Sequence, residues 1–406
     1  TLRADGSTLV GKNNTWGYFP SAGLEWNVKE EKWLKSVLWL DQFKLRTSVG
    51  RSGNLGGIMA YYTLQMLMPN GIVPHYGRPT VTLGQLRNIN PDLKWETRTS
   101  FNVGMEAGFF SNRIHVYAEY YHSKTTDMLY NYDVSVPPFA YNKLLANIGS
   151  MSNSGMEFGL GLDLIRKKDM ELSVNMNLSF QQNKLLSLTG MYNGELLSSP
   201  DITPIGGLTG AGMHGGHNFI TYQIVGQPLG VFYLPHCTGL TKNADGSYSY
   251  ACADLDNNGR TNLEDGGDRR VAGQAVPKAT LGSNISFRYR MWDVTMQLNG
   301  AFGHKIYNGT SLTYMNMASF PDYNVLQEAP KQNIKDQKAT DYWLERGDYL
   351  NIDYLTIGCN LPVRSRFVNA LRLSLSVNNL ATITGYSGLT PIINSYVVDN
   401  TLGIDD

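Results

Sequence analysis

The stretch DLDNNGRTNLED, residues 254–265, sets oxygen-bearing side chains at the intervals of a calcium loop. Asp254, Asp256 and Asn258 take its first, third and fifth positions, and Gly259 takes the sixth. The Arg260 carbonyl, Asn262 and Asp265 take the seventh, ninth and twelfth. Calcium is a hard cation that needs several oxygens, and a glycine at the sixth position allows the turn that gathers them. Two departures stand against the match: Asp265 is shorter than the usual bidentate Glu, and Arg260 adds a cation. The competing reading is an Asp/Asn/Gly turn whose side chains cap their own backbone. No amphipathic helix pattern flanks the loop, so a bound ion would pin an exposed loop rather than switch a helix pair.

Other reactive residues are few. Cys237 and Cys252 bracket the stretch CTGLTKNADGSYSYAC, where a turn at Asp245-Gly246 could fold a hairpin and bring them together. The expectation is a disulfide, formed in an oxidising compartment; the alternative is two unpaired thiols. Cys359 lies in a strand pattern and reads as a small apolar residue. His214 and His217 could pair on a metal, but no clustered ligands accompany them. No HExxH, GxSxG or phosphate-binding glycine loop occurs, so no enzyme constellation is expected. Tyrosine is abundant, at 24 residues. Tyr130, Tyr132, Phe139 and Tyr141 fall in one connection, and Tyr307, Tyr314 and Tyr323 in another. A tyrosine ring with its hydroxyl suits sugar rings, peptides or a protein partner alike, so these residues are candidates for ligand or partner contact.

The elements that must hold these residues are strands. In ELSVNMNLSF, Leu172, Val174, Met176, Leu178 and Phe180 take one face, and Ser173, Asn175, Asn177 and Ser179 the other. LRLSLSVNNL, FKLRTSVG, DVTMQLNG and RIHVYAEYYHS alternate in the same way. Period two is a strand signal. Ten strands are expected, at 17–27, 42–50, 97–109, 113–124, 150–165, 170–186, 279–289, 292–303, 348–361 and 370–382. The 348–360 stretch loses phase, which predicts a bulge. Polar positions such as Glu106, Glu119, Asn175, Asn177, Gln297, Asn299, Arg372 and Asn378 would face inward. Trp16, Tyr18, Trp26, Tyr117, Tyr120, Tyr121, Trp292 and Trp343 gather near strand ends, as interfacial girdles would.

Composition agrees with strands that span a membrane. Charged residues are 17%, below the roughly 25% of soluble domains. Net charge is zero, so no basic face suggests nucleic acid. No apolar run reaches the ~20 residues of a membrane helix, yet a barrel spreads its apolar residues over alternate positions. Several alternating runs reach the 9–11 residues of a tilted membrane strand, and short connections alternate with long ones. That rhythm belongs to outer-membrane barrels, whose tight turns face the periplasm and whose long loops face outside. The chain has no initiator Met and no signal peptide, so it reads as mature, cut or truncated.

Several collinear blocks carry a resemblance: NNTWGYFPSAGLEWNV (13–28), NPDLKWETRTSFNVGMEAGFFSNRIHVYAEYYHSKTTDML (90–129), NIGSMSNSGMEF (147–158), GQPLGVFY (226–233), ADLDNNGRTNLEDGGDRRVAG (253–273), DYWLERGDYLNIDYLTIGCNLP (341–362) and LSVNNLATITGYSGLTP (375–391). Together they resemble the C-terminal half of a SusC-like TonB-dependent transporter. The resemblance implies an all-β antiparallel transmembrane barrel of about 22 strands with a plugged lumen. Residues 1–406 would supply part of strand 11 at Thr1–Ser7, then strands 12 to 21. The plug, the first half of the barrel and the last strand would be absent. The implied function is active import across the bacterial outer membrane, of oligosaccharides or less often peptides. The implied partners are a SusD-like lipoprotein lid and the TonB complex, the latter reached through the absent N-terminal part. A passive binding barrel is the alternative, and a soluble glycan-binding sandwich is disfavoured by strand length.

Overall fold

In the computed structural model, the described residues are 1–208, 219–263, 266–317, 320–334, 337–363, 367–393 and 402–405. Eleven of their strands form one antiparallel meander, each paired with its neighbours in chain order. We label them β1 (Leu2–Gly6), β2 (Trp16–Asn27), β3 (Leu40–Asn54), β4 (Glu96–Phe109), β5 (Ile114–Asp133), β6 (Lys143–Lys167), β7 (Met170–Ser187), β8 (Ala279–Tyr289), β9 (Trp292–Phe302), β10 (Tyr349–Leu361) and β11 (Leu371–Thr384). All ten expected strands are present, and β1 occupies the stretch expected as a partial one. The largest difference lies at β5 and β6, which run on through Asp133 and from Lys143 across most of the connection expected between the 113–124 and 150–165 strands. The pairing continues past register shifts around Met128, so these strands project as a hairpin beyond the rest of the sheet.

The alternation seen in the sequence becomes two different faces. Ladder register aligns Trp26, Leu45, Met105, Ala118, Phe158, Leu178 and Leu281 across seven strands. Next to that row, Leu24, Val103, Tyr120, Met156 and Phe180 lie on the same face. Most of these apolar side chains are exposed: Leu24 at 69%, Met156 at 48% and Phe180 at 46%. Among the described residues no layer covers them. An apolar surface this wide is unfavourable in water and is the expected lipid face of a barrel. Trp16, Tyr18, Trp26, Tyr120 and Trp292 point outward as girdle residues should. Tyr117 and Tyr121 fall on the opposite face and Trp343 is buried, so these three leave the girdle.

The expected bulge is at Asp353, where pairing slips between Ile352 and Tyr354 against both β9 and β11. Strand β11 is exposed along its whole length, and it and β1 are the sheet's two edges among the described residues.

The hydrophobic core sits at the long-loop end. The connection from β7 to β8 builds a four-stranded antiparallel sheet from Ile202–Gly207, Phe219–Ile224, Val231–Pro235 and Arg269–Gln274. Phe232, Leu234 and Ile220 from this sheet pack with Tyr307, Leu312, Trp343 and Ile404. Three chain segments thus share one core above the sheet.

Candidate functional site

The inner face of the sheet is a polar wall with two flanks. On the β7–β11 flank, one row reads Asn175, Asn284, Gln297, Tyr354, Asn378 across five strands. A neighbouring row reads Asn177, Gly282, Asn299, Asn351, Thr382. Asn284 Nδ2 donates to Gln297 Oε1 at 3.1 Å, and Asn351 Nδ2 donates to Asp353 Oδ1 at 2.6 Å. Asn299 also donates to Asp353. The bulge therefore turns one carboxylate inward to anchor two amides. Amides carry both donors and acceptors, so a field of them can match neutral polar ligands such as hydroxyl-rich sugars.

The β3–β5 flank is charged. Arg46 lies between Glu106, at 2.9 Å, and Glu119, at 2.5 Å. Its guanidinium stands 5.0 Å from the Tyr117 ring centre, and the Tyr117 hydroxyl donates to Glu119 at 3.1 Å. Between the flanks, Gly159 and Gly161 leave a hollow of about 420 Å³ lined by Gln42, Glu106, His115, Tyr117, Asn175 and Asn177. Nearer the short turns, Arg372 grips Asp293 with two bonds of 2.6 Å. All eight polar positions expected to face inward do so by register.

Above the wall, the loop crown sorts the seven aromatic candidates. Tyr132 and Tyr307 are fully buried. This corrects the expectation for both: they are core anchors and cannot touch a ligand. Tyr132 packs with Leu144, Ala146 and Leu197 because β5 extends further than the pattern suggested, and Tyr307 packs in the shared loop core. Burial pushes both phenols up from their usual range. Tyr314, Tyr323 and Tyr141 are exposed, at 42%, 54% and 40%. Phe139 packs partly against the Tyr132 cluster. Tyr130 lines a hollow of about 840 Å³ together with Asn131, Lys143, Leu145, Ile205 and Phe219. That volume is in the range of small-molecule cavities.

In the 254–268 loop, the carboxylates of Asp254, Asp256 and Asp268 converge, with one oxygen of each within 4.8 Å of the others. Asp268 was not among the expected ligands. A helical turn at Gly266–Asp268 brings it back to accept from the Leu255 and Asn262 amides, both at 2.6 Å. The Asn262 amide, with those of Leu255 and Asp256, holds the Asp268 carboxyl below the usual carboxylate range. Asn258 is bonded within the loop, donating to Asp256 and accepting from the Arg260 amide, both at 2.8 Å. Asp265, His214 and His217 lie outside the described residues.

Cys237 and Cys252 are joined by a disulfide across the hairpin Cys237–Lys242 and Tyr248–Cys252. Beside it, Asp341 accepts from the Cys237 amide at 2.7 Å and lies 2.8 Å from His236 Nδ1 and 3.3 Å from Arg270. Asn88 likewise accepts from the Ala140 and Tyr141 amides, at 3.0 and 3.1 Å. Both residues tie distant loops together. Nothing in local spacing pointed to them, since their partners lie 52 to 105 positions away in the chain.

A family model described as TonB dependent receptor-like, beta-barrel, matches residues 1–380. TonB-dependent receptor P3 of Formosa agariphila is 28% identical over 98% of this chain and 40% of its own length. TonB-dependent receptor SusC of Bacteroides thetaiotaomicron is 27% identical, with the same 98% and 40% coverage. Among solved structures, that of the RagAB peptide importer in the open-open state aligns over all of this chain and 42% of its own, with a TM-score of 0.79 and 19% identity. A structure of the RagAB peptide transporter gives 0.75 and 20%, over all of this chain and 43% of its own. At that identity the two structures show a shared fold. The chain thus spans about two-fifths of the curated relatives it matches. An open antiparallel sheet with an uncovered apolar face and a polar inner wall is what part of such a barrel should look like, and the chain belongs to the TonB dependent receptor-like β-barrel family of the outer membrane.

Proposed function

We propose that residues 1–406 form the C-terminal part of a SusC-type importer whose complete barrel takes up oligosaccharides, beneath a SusD-like surface lipoprotein and with energy from the TonB complex. The amide rows of the β7–β11 inner wall carry this reading. They offer neutral donors and acceptors on strands, which hold them more rigidly than loops would. The two sheet edges would pair with further strands and a plug would fill the lumen. The relatives' greater length supports that completion. A second reading, import of oligopeptides, is favoured by the charged Arg46–Glu106–Glu119 flank and by the peptide importer named among the structural neighbours. The test is calorimetric titration of the complete transporter with oligosaccharides and oligopeptides of graded length. Binding of neutral oligosaccharides alone supports the first reading, and binding of peptides alone overturns it.

Calcium in the 254–268 loop is also a proposal, supported by the spacing and by the convergence of Asp254, Asp256 and Asp268. Chelation should then speed proteolysis of that loop and spare the strands. Equal cleavage with and without chelator leaves a polar turn.

A further inference from the structure

The outward face of the sheet changes character at one height. Just beyond the apolar band, ladder register aligns Arg51, Thr99, Lys124, Ser152 and Lys184 across β3 to β7. Two positions further down the strands, the same face carries Val49, Phe101, His122, Ser154 and Gln182. Cations therefore stand on alternate strands with a hydroxyl residue between each pair. Neighbouring strands are about 4.8 Å apart, so the cations repeat roughly every 10 Å. All three are exposed. Among the described residues no ion pair engages any of them, whereas nearby Lys94 and Lys143 pair with Asp127 and Asp133.

Depth identifies what they meet. Ten residues of β5 separate Ile114, at the short-turn end, from Lys124 (124 − 114). At about 3.3 Å per residue and a tilt of about 40°, that is roughly 25 Å of height, the span of an outer-membrane apolar band. The row thus lies at the headgroups of the outer leaflet. Beneath Lys184, a hollow of about 630 Å³ is lined by the apolar Tyr120, Met156, Phe180 and Pro228 and by polar residues that include Gln182 and a further cation, Lys278. Its lining thus sets a few apolar side chains among polar ones, as an amphiphile would need.

We infer that this row is a binding site for a phosphorylated lipid of the outer leaflet. Phosphates would lie across Arg51, Lys124 and Lys184, the Thr99 and Ser152 hydroxyls would donate to phosphate oxygens, and an acyl chain would occupy the hollow. Nothing in the import reading requires this site.

The test uses the complete protein in detergent, with native mass spectrometry as the readout. Its probes are a bis-phosphorylated saccharolipid, the same lipid without phosphates, and inorganic phosphate. The phosphorylated lipid should be retained and the dephosphorylated one lost. Each cation near an anionic surface contributes about five-fold to binding, so the triple variant Arg51→Gln, Lys124→Gln, Lys184→Gln should weaken retention roughly 100-fold. The charge-keeping triple Arg51→Lys, Lys124→Arg, Lys184→Arg should retain the lipid, which separates charge from misfolding. Equal retention of the two lipids, full retention by the glutamine triple, or loss in the charge-keeping triple would overturn the site. Displacement of the lipid by equimolar inorganic phosphate would reveal a free-anion site and would overturn the lipid assignment.

Discussion

Tyr307 shows how a side chain with binding chemistry can serve packing instead. It is fully buried where loop segments from three parts of the chain meet. Replacing a buried aromatic with alanine costs about 3–5 kcal/mol. Tyr307→Ala should therefore raise amide exchange throughout the crown while strands β2 to β9 stay protected; unchanged exchange in the crown would refute the anchoring role. Asp268 gives a pH test. Its carboxyl is held below the ordinary range by the Asn262, Leu255 and Asp256 amides, so its contribution is present above the unfolded value of about 3.9. It is lost only as pH falls through the lower folded value. Order in the 254–268 loop, followed by exchange, should thus persist through mildly acidic pH; melting at pH 5 or 6 would contradict it. The spacing of Asp254 and Asp256 was legible in the sequence. Asp268 was not, because a turn rather than a motif position returns it to the site.

At the level of elements, alternation with period two gave the faces as well as the strands, since a strand has only two sides. It missed the extension of β5 and β6 because apolar residues run consecutively there, at Met128–Tyr130 and Leu144–Ala146, and register shifts around Met128 break the alternating phase. It also misassigned Tyr117 and Tyr121, which sit near strand ends but on the inner side. The face assignment makes a paired prediction. Leu178 faces outward in the middle of the apolar rows, and Asn177 beside it faces inward. Leu178→Lys should destabilise the folded barrel by about 2–4 kcal/mol on refolding into bilayers, whereas Asn177→Lys should be near neutral. Equal penalties would mean the faces are wrongly assigned. The disulfide belongs to this scale too. It closes a separation of 15 residues, for which chain entropy suggests about 3 kcal/mol. Cys237→Ala with Cys252→Ala should expose the hairpin to protease and leave the sheet intact; an unchanged digest would show that packing and Asp341 suffice.

For the whole molecule, fold and membrane placement were legible because both depend on patterns repeated over eleven strands. The ligand was not, because its contacts depend on which side chains distant segments bring together. The inner wall aligns amides from five strands into rows, and the proposed oligosaccharide reading rests on them. The most direct measurement is uptake of a labelled neutral oligosaccharide by cells carrying the complete transporter or its Gln297→Leu, Asn299→Leu variant. Each lost hydrogen bond is worth about 1 kcal/mol, so the variant should import roughly 10- to 30-fold less while its barrel still refolds. Unchanged uptake by the variant, or import of peptides alone by the parent, would contradict the account.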